Sequence, residues 1–245
     1  MSYQWNWGVF AQTTPDGLDT YFGWLLAGMK WTLAVSLSAW VLALVLGSLL
    51  GILRTVPNRW LSGFAGGYVE VFRNIPLLVQ LFVWFFVFPE LLPSAWGDAV
   101  KQMDPVKGQL LWGFIGLGMF TAARVCEQVR SGIESLPRGQ TNAGLAMGFT
   151  LAQTYRFVLL PMAFRIVIPP LTSEFLNIFK NSAVVSVIGM LELAGQARQL
   201  VEYTAQPYES FTAATLGYFV INIVVMYFMR WVENRTRLPG YMGGK

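Results

Sequence analysis

A stretch from about Leu25 to Ile52 is apolar almost throughout, with Lys30 as its only charge and Gly47 and Gly51 near its end. A membrane crossing needs about 20 such residues, and a longer run crosses with tilt. This run fixes the class of fold, because the rest of the chain repeats it. Leu61 to Leu92 is too long for one simple crossing. Its first part, GGYVEVFRNIP (66–76), is polar enough for a surface or a protein-lined cavity. Pro76 removes a backbone donor and predicts a break or kink, after which LLVQLFVWFFVF crosses. A third span is predicted at about Gln109 to Arg130 and a fourth at about Ile168 to Met190, starting at Pro169 and Pro170. The fifth is Phe211 to Trp231.

Composition agrees: 55% of residues are hydrophobic and 12% are charged, against about 25% charged in a typical soluble domain. The expected fold is all-α, a polytopic membrane protein with five transmembrane helices in a single domain, 1–245. The chain has no histidine, which removes histidine acid–base chemistry and most zinc or haem sites. Cys126 is the one cysteine, so neither an internal disulfide nor a cysteine cluster can form. No basic stripe points to nucleic acid. The start, MSYQWNWG, lacks a basic n-region, so no cleaved signal peptide is expected.

Positive charge alternates from loop to loop. Arg54 and Arg59 follow the first span, and Arg130, Arg138, Arg156 and Arg165 occupy 130–168 against the single acid Glu134. The 89–109 loop is mixed, the 190–210 loop is net acidic, and the tail carries Arg230, Arg235, Arg237 and Lys245. The positive-inside rule then puts the N-terminal segment 1–24 outside, the C-terminus inside, and 54–61 and 130–168 in the cytoplasm.

The cytoplasmic stretch SLPRGQTNAGLAMGFTLAQTYRFVLLP (135–161) has no chemistry of its own. Pro137 suits the first turn of a short helix over about 137–149. Ala143, Ala146 and Met147 share one face, and Gly144 and Gly148 keep another shallow. Such a low knob fits a partner's groove; an ordinary interfacial loop is the other reading.

GQTNAGLAMG followed by LLPMAFR resembles the cytoplasmic signature loop of permease subunits of ABC importers, in the polar amino-acid uptake branch. Residues 69–84, 121–140 and 168–189 resemble that branch's second-span start, third-span exit and fourth span. WNWGVF, GSLLGILRTVPNR (47–59), TAARVCEQVR and RLPGYMGGK resemble permeases of bacterial glutamate/aspartate importers. The resemblance implies the type I importer permease fold in the bacterial inner membrane, with half of a translocation path for L-glutamate and L-aspartate. It implies a paralogous permease partner, two ATPase subunits and a periplasmic amino-acid-binding protein. A homodimer stays open. ATP and magnesium would sit on the ATPase, since this chain has no G-x-x-x-x-G-K-[ST] loop, and the chain itself would carry no catalytic site and no cofactor. The residues implied for coupling to the ATPase are Arg138, Gly139, Gln140, Asn142, Ala143, Gly144, Ala146, Met147 and Gly148. Asn142 stands where the branch usually has glutamate, Gly144 where it has alanine, and Arg124 where it often has tyrosine. Docking by shape is therefore expected, with Arg138 and Arg156 flanking the knob.

Charges inside membrane spans mark functional sites by default. Arg73, Arg124, Glu127, Glu174 and Lys180 are the candidates for the substrate path. Arg124, Glu127 and Arg130 recur every three residues, so neighbours share a helix face. Arg124 either contacts a substrate carboxylate or pairs with Glu127; Glu70 and Arg73 form a second candidate pair. An ion-coupled secondary transporter is the rival class, but the inverted repeats it would need are not visible. A permease for glutamine, histidine or arginine is the nearer alternative. A scaffold or channel subunit and a membrane enzyme fit less well.

Overall fold

A computed structural model describes residues 3–236; residues 1–2 and 237–245, with RLPGYMGGK and the tail cations Arg237 and Lys245, lie outside the described residues. Among the described residues the only β pairing is an isolated bridge, Thr13 to Thr20, and the rest is helix and turn. A 3₁₀ turn, Trp7–Ala11, precedes the first long helix.

Helix α1, Tyr21–Thr55, has 35 residues and so runs for roughly 50 Å, well past a hydrocarbon core of about 30 Å. Helix α2, Arg59–Asn74, starts at Asn58, whose side chain accepts from the backbone N–H groups of Trp60 and Leu61. It ends at Ile75, as the residue before a proline dictates. Beyond Pro76 come α3 (Leu77–Phe82), a π turn (Val83–Val87) and α4 (Phe88–Leu91). The break bends the two apolar segments by 104°. Then follow α5 (Ser94–Lys101), α6 (Pro105–Glu134), α7 (Arg138–Ala146) and α8 (Leu151–Thr154). A π turn, Tyr155–Leu159, leads into α9 (Leu160–Asn181) and a 3₁₀ turn, Ser182–Ile188. Helices α10 (Leu193–Thr204) and α11 (Pro207–Thr236) complete the described chain. Among the described residues four stretches are long and apolar enough to cross a membrane, Tyr21–Thr55, Pro105–Glu134, Leu151–Ile188 and Pro207–Thr236; the bent pair makes a fifth if it counts as one span.

Two expectations change. The helical stretch that contains the predicted fourth span begins at Leu151, well before Ile168, and Pro169 and Pro170 lie inside α9 rather than at a helix start. Prolines are tolerated there because neighbouring groups can satisfy the freed carbonyls. The acidic 190–210 connection is mostly helical: α10 fills Leu193–Thr204, and its residues Leu193, Ala197 and Leu200 recur at helical spacing and are buried.

The chain forms two compact units. Among the described residues, one comprises 3–40, 76–118 and 177–224. Its core includes Leu25, Leu193, Ala197 and Ala214, with Val9, Tyr21 and Leu200 in a smaller cluster. Glu192 is fully buried there. It caps α10 by accepting from Gly195 N at 2.9 Å, and it also accepts from Thr32 Oγ1 at 3.3 Å and from the Tyr218 hydroxyl. One carboxylate thus fastens α1, α10 and α11 together.

The other unit comprises 41–75, 119–176 and 225–236. Leu50, Ala65, Val69, Ala123 and Cys126 form its core. Here α1 and α6 meet closely. A Cβ on Gly47 would stand 2.7 Å from the Ala122 carbonyl oxygen, and one on Gly51 2.8 Å from that of Cys126. Two small residues four apart let helix backbones touch in a membrane. Thr172 of α9 donates to Glu233 of α11 at 2.6 Å.

Candidate functional site

The α7 region builds its shape from local hydrogen bonds. Pro137 precedes the helix, and its carbonyl accepts from Gln140 N at 2.9 Å. At the other end Gly148 has φ +84°, a left-handed conformation that glycine adopts without strain. Gly148 N then donates to the Leu145 carbonyl at 3.0 Å and Phe149 N to that of Gly144 at 3.1 Å. This paired closure satisfies carbonyls that a helix end would otherwise leave open. Gly148 therefore shapes the helix stop rather than a shallow face.

Gly144 also has a different role from the one expected. It is buried against Thr154, and a Cβ there would lie 2.8 Å from Thr154 Cγ2. The outward face is carried by Ala143, Leu145, Ala146 and Met147, all exposed, with Met147 at 74%. Leu145 lies outside the 143/146/147 spacing, so helical periodicity does not single it out. Arg138, Gly139 and Asn142 are exposed beside this face, and nothing lies within 4 Å of a Cβ on Gly139. Gln140 is half-buried, and its Oε1 has no hydrogen-bond partner.

After α7, Thr150 and Gln153 cap α8 reciprocally, at 2.8 Å and 3.2 Å. The Tyr155 hydroxyl donates to the carbonyl oxygen of Thr55, the last residue of α1, at 2.8 Å. The loop helix is thereby joined to the start of one long helical stretch and to the end of another.

A second cluster lies among α1, α2 and α6. Glu127 is shared by three arginines: Arg54 in direct contact, Arg73 at 3.7 Å and Arg130 at 3.8 Å. Arg130 also reaches Glu134 at 2.9 Å. The expected pairing of Arg73 with Glu70 does not form; Arg73 faces Glu127 instead. Arg54 is not a loop charge: it lies in the last turn of α1 and meets Glu127 across the helix pair. Sequence spacing finds neighbours on one helix and is blind to such a contact.

Arg124 takes neither Glu127 nor any other acid of its own helix. Its Nη1 lies 3.9 Å from Glu174 Oε2 on α9, and its guanidinium stacks over the Phe120 ring at 4.7 Å. At that separation the ion pair is not a hydrogen bond. The Arg124 side chain is 42% exposed and that of Glu174 13%. A guanidinium has five N–H donors in a planar fork, so Arg124 can still meet a carboxylate. The structure thus brings Arg124 and Glu174 together, and separately Arg73 and Glu127. Lys180 is exposed on α9 with no ion-pair partner among the described residues. Among the described residues no group of acids and cysteine could hold a metal ion.

Comparison with known proteins places these features in context. The chain is 55% identical, over the full length of both proteins, to the glutamate/aspartate import permease protein GltJ of Escherichia coli (strain K12). It is 29% identical to the glutamate/aspartate import permease protein GltK of E. coli O157:H7, covering 96% of this chain and 99% of that protein. Among solved structures, an amino acid ABC transporter crystallised with histidines superposes with a TM-score of 0.74 at 27% identity, covering 88% of this chain and 95% of that one. The α7 loop, the third-span charges and the fourth span all fall within residues 43–238, which match the model of the binding-protein-dependent transport system inner membrane component, and the chain belongs to that family.

Proposed function

We propose that this chain is the membrane-spanning permease subunit of an ATP-driven importer of L-glutamate and L-aspartate, forming half of the translocation path. The observation that carries this reading is the full-length 55% identity to a permease named for those two substrates. Similarity to a second permease of the same name favours a heterodimer with a paralogous subunit. A periplasmic binding protein would deliver substrate, and two ATPase subunits would bind ATP and magnesium. In this reading there are five spans, with α2 and α3–α4 forming one broken span. The segment 1–24 is periplasmic, the C-terminus is cytoplasmic, and the membrane is the bacterial inner membrane.

Within 130–168, α7 is the coupling helix. Its exposed Ala143, Leu145, Ala146 and Met147 would enter an apolar groove on the ATPase, flanked by Arg138 and Arg156. Motion of the ATPase pair would tip the spans between outward- and inward-open states. Arg73, Arg124, Glu127, Glu174 and Lys180 belong to the path or its walls. Of these, Arg124 has the exposure and the free donors to meet a substrate carboxylate.

The test is uptake by the assembled complex in liposomes with its binding protein. Labelled glutamate should accumulate with ATP, and unlabelled aspartate should compete better than glutamine, histidine or arginine. Stronger competition by glutamine would move the assignment to another polar amino acid.

A further inference from the structure

The exposed face of α10 and the turn before it line an open pocket of ≈ 260 Å³. Ser186, Leu191, Arg198, Gln199, Glu202 and Tyr203 are among its lining residues. Pockets for drug-sized ligands start at about 300 Å³, so this one suits a single small metabolite. Its charges are one cation and one anion. Arg198 and Glu202 lie four residues apart on one helix face, yet neither has an ion-pair partner among the described residues. Their order, cation before acid, is the less favourable one for mutual pairing along a helix. Between them Gln199 keeps a buried Oε1 with no hydrogen-bond partner.

A separated cation and anion with a spare acceptor beside them complement a zwitterion. A simple anion would face Glu202, and a simple cation would face Arg198. We propose that this pocket binds a free α-amino acid, with its carboxylate on the Arg198 guanidinium and its ammonium on Glu202 and Gln199 Oε1. A guanidinium takes a carboxylate with two parallel bonds, and an ammonium has three donors to share between a carboxylate and an amide oxygen. The choice of amino acid as ligand rests on the importer reading; the charge pattern does not. The pocket belongs to α10 and is separate from the Arg124–Glu174 pair.

The test uses the full chain, purified with its partner subunits and placed in nanodiscs without binding protein. Glutamate and glutarate, which lacks the ammonium, are titrated in parallel. Glutamate should bind saturably and about tenfold more tightly than glutarate. Arg198→Gln should weaken glutamate about tenfold or more, and Arg198→Lys should restore part of the loss. Glu202→Gln should erase the preference for glutamate over glutarate. Absence of saturable binding, or wild-type affinity in an assembled Arg198→Gln complex, overturns the pocket. Should the pocket instead receive a side chain of a docked protein, free glutamate will not bind it. Glutamate uptake is measured alongside. Uptake without these binding effects removes the pocket and leaves the transport assignment; binding without uptake does the reverse.

Discussion

Arg124 on α6 faces Glu174 on α9 at 3.9 Å, and not Glu127 one turn along its own helix. The pair is close enough for attraction and too far apart for a hydrogen bond. Arg124 is thus held near an acid without being saturated by it. Replacing it with glutamine should lower glutamate uptake about tenfold and shift preference toward glutamine, since a charge-assisted carboxylate contact is lost. Competition uptake in liposomes reads this, and an unchanged preference removes Arg124 from substrate recognition.

Ala143 lies on the exposed face of α7. Ala143→Arg should leave the subunit folded but keep α7 out of the ATPase groove proposed for it, so that ATPase stimulation by loaded binding protein falls toward the basal level. Retained stimulation and uptake would end the docking role.

Gly144 has no room for a side chain beside Thr154. Gly144→Leu should overpack this contact and cost about 1–3 kcal/mol. Thr154→Ala in the same chain should relieve part of that cost. Thermal unfolding of the purified complex measures both variants.

Glu127 neutralises Arg54 most directly and attracts Arg73 and Arg130. Glu127→Gln leaves three cations with Glu134 as the remaining nearby acid. Loss of a charge-assisted bond of this kind costs about 2 kcal/mol, so the variant should show a lower melting temperature. Glu70→Gln, which touches none of these pairs, serves as the comparison and should melt like the wild type.

Gly51 sits against the Cys126 carbonyl. Gly51→Leu should push α1 from α6 and reduce the yield of assembled protein in membranes, whereas Leu49→Ala, at an exposed position, should not. Equal yields would show that the close approach is dispensable.

The long apolar helices were legible because hydropathy acts over twenty residues at a time, and the break at Pro76 because proline acts through its own backbone. The limits of the helical stretch around the fourth predicted span were not. Its first turns, Leu151 to Phe157, mix polar and apolar residues, and Pro169 and Pro170 imitate a helix start. The short helix of the α7 loop was legible in sequence, but Leu145 on its exposed face and the structural roles of two glycines were not. Gly148 looks like a small surface residue until its backbone angle is known, and Gly144 looks like a weak helix former until Thr154 is seen beside it. Glu192 carried no signal at all. Glutamate is not a favoured cap, and its partners Thr32 and Tyr218 come from distant parts of the chain.

The hydroxyl of Tyr155 on the carbonyl of Thr55 has a consequence for how force travels. In the proposed coupling, a thrust on α7 would arrive at residue 155 and divide there. Part would continue into α9 through the π turn Tyr155–Leu159, and part would pass sideways to the far end of the 35-residue α1. The subunit would then be loaded at two helices from one point of contact, like a yoke, and Tyr155→Phe, which removes both hydroxyl contacts to Thr55, would leave α1 to follow only through its packing.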